Sequence, residues 1–110
     1  METYETYEKG ARMKVVYISA PFTADTAWGI EQNIRIAEEA ALSVWKLGAV
    51  ALCPHTNSRF FFGSASEVVF KEGYLELVRR SDLVYMVGNC GGSSGANTEI
   101  AEASKRDIPI

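Results

Sequence analysis

Apolar positions in this chain form short continuous runs separated by longer periodic stretches. "KVVYISA" (Lys14 to Ala20) is β-branched and closed by Pro21, which predicts a strand buried on both faces. "AVALC" (Ala49 to Cys53), closed by Pro54, and "DLVYMVG" (Asp82 to Gly88) predict two more, and "IPI" (Ile108 to Ile110) opens a fourth. Between them, Glu31 to Leu47 carries Ile34, Ala37, Ala41, Val44 and Trp45 at helical spacing and stops at Gly48. Glu67 to Arg80 carries Val68, Tyr74, Leu75 and Val78 and is predicted helical despite Gly73. Ala96 to Arg106 forms the third main helix, and "PFTADTAWG", "HTNSRFFFGSAS" and "NCGGSSG" are loops.

Strands alternating with helices imply a parallel sheet with right-handed crossovers. The expected fold class is α/β, a flavodoxin/Rossmann-like open parallel sheet of about four strands in the order 2-1-3-4, with helices on both faces. Such sheets bind ligands outside the carboxyl ends of their strands, where strand order reverses. The loops after Ala20, Cys53 and Val87 therefore share one rim, with Glu99 beside them.

The 110 residues make one domain, expected over 13–110, behind a polar extension over 1–12 that doubles "ETY". A net charge of -3 and pI near 5.1 argue against nucleic acid or an anionic membrane as a partner. No apolar stretch approaches the roughly 20 residues that span a bilayer, and no signal-peptide centre is present. Cys53 and Cys90 lack metal-type spacing and read as free thiols in a reducing cytoplasm, small buried hydrophobes rather than ligands. One histidine and two scattered cysteines make no metal set, and no Gly-x-Gly-x-x-Gly follows the first strand. No cofactor is expected.

"GGSSGANTEIAEA" (Gly91 to Ala103) carries the most chemistry. Gly91, Gly92 and Gly95 allow close backbone approach, Ser93 and Ser94 offer hydroxyls, and the following helix offers unpaired amides to an anion. Glu99 lies one turn inside, where it either reaches back to the rim or complements the helix dipole. His55 follows Pro54 at the rim and either contacts a phosphate or base or is structural. "RFFF" (Arg59 to Phe62) either clamps a phosphate and stacks on a base or forms a subunit contact. Asn33 either pins the loop after the first strand or caps its helix. Asp82 ends a helix and turns into a strand. Lys71, Arg79, Arg80, Lys105 and Arg106 fit a solvated surface.

In their order and spacing, "VYISAPF", "NIRIAEEAA", "LGAVALCPHTN", "SDLVYMV" and "SSGANTEIAEA" resemble the nucleoside 2-deoxyribosyltransferase-like superfamily, from Lys14 to Ile110. The resemblance implies that Glu99, in Gly95-Ala96-Asn97-Thr98-Glu99, is a nucleophile that attacks the anomeric carbon. Tyr17 would orient it. Substrate contacts would come from Ser19, Ser93, Ser94, Gly95, Asn97 and His55. Transferases place an aspartate where this chain has Ser93; related deoxynucleoside 5′-monophosphate N-glycosidases use a serine there to hold phosphate, which an aspartate would repel. The implied activity is cleavage of the N-glycosidic bond of a (deoxy)nucleoside 5′-monophosphate or nucleoside, as N-glycosidase or deoxyribosyltransferase. The family's general-acid aspartate falls at Tyr74, with only Glu72 and Glu76 nearby, so the alternative is a nucleotide-binding module that lost turnover. A Gly-Gly-x-Gly-Thr-x-x-Glu phosphoribohydrolase signature fits less well, since Ala96 replaces its threonine. The expected partners are a small nucleotide or nucleoside and further copies of the chain in a homo-oligomer.

Overall fold

The computed structural model describes residues 12–61, 63–88 and 94–110, the side chain of Ser94 excepted. Three parallel strands, β1 (Val15–Ser19), β2 (Val50–Leu52) and β3 (Leu83–Met86), pair in the order β2-β1-β3. The register sets Tyr17 opposite Leu52 on one side and Val84 on the other. Among the described residues a fourth strand is not formed. Pro109 has no N–H to extend a ladder, and the last residues give β3 one backbone bond, from Val84 N–H to the Pro109 carbonyl at 2.9 Å.

The pleat of β1 divides the core in two. Val16, Ile18 and Ala20 face helix α1 (Ala27–Lys46), packing on Ala37, Ala40, Ala41 and Val44. Tyr17 faces the opposite way, onto Val78 of α3 (Glu67–Arg79), Val84 and Ala103 of α4 (Ser94–Lys105). Helices thus cover both faces. The central strand is as apolar as its sequence implies, but β2 is only partly buried, and Tyr85 and Met86 of β3 are exposed. Truncating Ile18, fully buried, to alanine would cost about 2–5 kcal/mol.

Helix α1 begins four residues earlier than the apolar period suggests. The Thr26 hydroxyl accepts from the Gly29 N–H at 3.0 Å, and this cap outweighs the low propensity of Gly29. Trp45 lies outside the buried stripe at 51% exposure, one helical step from Val44, while Ala40 takes its place inside. Gly48, at φ 88°, ends the helix in the left-handed turn expected of it. The loop after β2 is partly helical: Pro54 opens α2 (Pro54–Asn57), and a 3-10 turn follows over Arg59–Phe61. Asp82 accepts from the Val15 N–H at 2.8 Å and from Arg12 at 3.2 Å, tying the amino ends of β1 and β3 together far from the rim. Apart from Arg12, the extension over 1–12 lies outside the described residues, as do Phe62, Cys90, Gly91, Gly92 and Ser93. Cys53 is a free, buried thiol.

Candidate active site

A cavity of about 490 Å³ opens at the carboxyl end of β1, among α2, α3 and the first turns of α4. Glu99 lines it, half-buried, and its carboxylate is held from behind by two hydroxyls of β1. Tyr17 donates to Oε2, and Ser19 donates to Oε1 at 2.8 Å. Both donors are fully buried and lie two residues apart, so the strand pleat aims them at the same helix. Glu99 therefore does more than complement a helix dipole.

The electrostatics follow from that burial. Desolvation raises the Glu99 pKa above its ordinary value, while the hydrogen bonds from Tyr17 and Ser19 pull it back down. Burial, reinforced by the neighbouring carboxylate, pushes the Tyr17 pKa up, so its hydroxyl stays protonated and donating.

His55 also lines the cavity and is nearly buried at the second position of α2. Its Nε2–H donates to the Pro21 carbonyl at 2.8 Å, which fixes the tautomer, and its ring meets Phe22 edge-on at 5.4 Å. Burial lowers its pKa, partly offset by that bond, so it is neutral at pH 7. Asn33 pins the same loop, donating to the carbonyls of Phe22 at 3.1 Å and Thr23 at 3.3 Å. Phe22 and Thr23 both line the cavity.

Several assignments shift with the side chains in place. Ser19 supports Glu99 from inside the protein and is closed to a ligand. Asn97 is exposed outside the cavity lining, because helical spacing turns Gly95, Ala96, Thr98 and Glu99 inward and Asn97 away. Gly95 lies at the cavity wall, where an added Cβ would meet no protein atom within 4 Å. Ser93 and the side chain of Ser94 lie outside the described residues. Arg59 turns away from the cavity, donating to both Glu31 oxygens at 2.9 and 3.0 Å and stacking 5.3 Å from the Phe60 ring centre.

Tyr74 does line the cavity, with its hydroxyl donating to Ser58 and to the Pro54 carbonyl and accepting from Asn57. Glu76 is paired with Arg79 and Arg80 and, like Glu72, is absent from the cavity wall. Glu67 and Lys71 are present there instead. The spacing Glu67, Lys71, Tyr74 places all three on one helix face, a signal readable once Tyr74 is set in the site. Among the described residues, no group of three His, Cys, Asp or Glu is placed to hold a metal, and no helix is long and apolar enough to cross a membrane.

A carboxylate held by two buried hydroxyls above a parallel sheet is set in a fold shared with nucleoside 2-deoxyribosyltransferase-like proteins. The chain is similar in structure to the 2-deoxyribosyltransferase of the psychrotolerant bacterium Bacillus psychrosaccharolyticus, with a TM-score of 0.68 at 16% identity, covering 87% of this chain and 69% of that one. By sequence, the chain belongs to the family described as "Domain of unknown function (DUF7768)", whose profile matches residues 14–110. No curated protein matches it.

Proposed function

We propose that the protein cleaves the N-glycosidic bond of a (deoxy)nucleoside 5′-monophosphate or nucleoside, with Glu99 as nucleophile. The observation that carries this reading is the Glu99 carboxylate, held by Tyr17 and Ser19 at the wall of a cavity large enough for a nucleotide. Glu99 attacks C1′ through an oxocarbenium-like transition state, the base leaves, and water or a second base releases the sugar from the ester. Tyr17 and Ser19 keep the carboxylate ionised and aimed. Neutral His55, with Nε2–H committed to Pro21, offers Nδ1 as an acceptor rather than a cation for phosphate. Ser93 and Ser94 beside the α4 N-terminus are the proposed phosphate ligands. Phe60 stays 85% exposed, and a second copy of the chain is its proposed cover.

Chromatography for free base tests the reading, with 2′-deoxynucleoside 5′-monophosphates and nucleosides as substrates. The native protein is expected to release base and Glu99→Gln to release none. No release by folded native protein at high concentration would sink it. The commitment of the Tyr74 hydroxyl to Ser58 and Pro54 favours one second reading, a nucleotide-binding module. In that case the native protein and Glu99→Gln both bind nucleotide and neither releases base.

A further inference from the structure

A base leaving an anomeric carbon takes the bonding electrons with it. Some group in the cavity must answer that growing negative charge, and the Glu99 carboxylate cannot. The proton of Tyr74 is engaged by Ser58 and Pro54, and the Nε2–H of His55 by Pro21. Glu67 brings a second negative charge, in the first turn of α3 where it complements the helix amides. Lys71 is the one Lys or Arg among the described residues that line the cavity. It lies one turn before Tyr74 on the same helix face of α3, which packs on α4, and Glu99 of α4 lines the same cavity. Its side chain is exposed at the mouth and makes no hydrogen bond or ion pair among the described residues, leaving three N–H donors for a ligand.

We propose that Lys71 is a catalytic residue of this reaction, its ammonium group protonating the departing base. The assignment rests on the glycosidase reading of Glu99. As a Glu99 oxygen bonds to C1′, the C1′–N bond breaks and its electron pair goes to the base. The base takes a proton from the Lys71 ammonium, leaving a neutral amine and a glycosyl ester. Water then attacks C1′, the ester bond breaks to restore the carboxylate, and the proton lost by water returns to the Lys71 amine.

The test compares two leaving groups. An unmodified base departs as an anion unless protonated, whereas the cationic base of 7-methyl-2′-deoxyguanosine 5′-monophosphate departs without a proton. Release from both is measured for the native protein, Glu99→Gln, Lys71→Met and Lys71→Arg. Lys71→Met is expected to slow release from unmodified substrates about 10²-fold or more while leaving the methylated substrate unchanged or faster. Lys71→Arg, whose guanidinium keeps the charge but does not give up a proton, is expected to recover little of the loss, and full recovery overturns the proton transfer. Equal slowing of both substrates, or slowing of neither, overturns the assignment while leaving Glu99 in place. Native protein that releases base from neither substrate overturns the glycosidase reading and this assignment together.

Discussion

Tyr17 and Glu99 stand 82 residues apart in the chain and share a hydrogen bond in the structure, hydroxyl to carboxylate. A central strand and the fourth helix meet there, so the bond ties the packing of the fold to the proposed chemistry. Tyr17→Phe keeps the ring in its place against Val78 and Val84 and removes only the donor. Ser19 is then the remaining side-chain support of Glu99 among the described residues, and the Glu99 pKa rises further. Base release is expected to fall about 10- to 100-fold, with its acid limb moved to higher pH. The folded state should lose about 1–3 kcal/mol, measured by urea unfolding.

Glu99 makes the stability of the fold depend on pH in an unusual direction. Its pKa is raised on folding, so the folded state binds this proton more tightly than the unfolded chain. The resulting stabilisation is complete below the ordinary value of 4.5 and is lost as pH rises through the raised value. Glu99→Gln carries no such dependence. Thermal unfolding at pH 8 is therefore expected to show the variant gaining on the native protein relative to pH 4.5. A native protein that gains on the variant as pH rises would contradict the burial argument.

Asn33 acts on the cavity wall and not on the carboxylate. Asn33→Ala frees the carbonyls of Phe22 and Thr23 and loosens the loop that packs on His55. Steady-state kinetics should show KM raised several-fold with kcat little changed, and stability lower by about 1 kcal/mol.

Gly73 offers a control outside the lining of the Glu99 cavity. It sits inside α3, and an added Cβ would meet nothing within 4 Å. Gly73→Ala is expected to stabilise the fold by about 0.5–1 kcal/mol, a rise in Tm of roughly 4 °C.

The strand-helix alternation and the place of Glu99 were legible because hydrophobic period and chain order determine them. Asp82 as a structural group was equally readable, whereas Asn33 fitted a helix cap as well as a loop anchor, and only the structure shows it bonded to the Phe22 and Thr23 carbonyls. The cavity wall was harder to read. Lys71 belongs with surface cations on charge alone, and only the packing of α3 on α4 brings it to the wall of the cavity that Glu99 also lines. Asn97 was drawn in by its neighbours in sequence, though one helical step of about 100° carries it outward. The start of α1 was hidden because an apolar period does not register a threonine cap.

The alternation along β1 sets a limit on how this protein can change. Tyr17 and Ser19 reach Glu99 only because Val16, Ile18 and Ala20 occupy the opposite side, against α1. Inserting or deleting one residue between Lys14 and Tyr17 would exchange the two sets, setting aliphatic groups against the carboxylate and hydroxyls in the apolar layer. Under the proposed function, variation in substrate choice is therefore open to α3 and the loops, whereas length changes within β1 would lose the fold and the proposed chemistry in a single event.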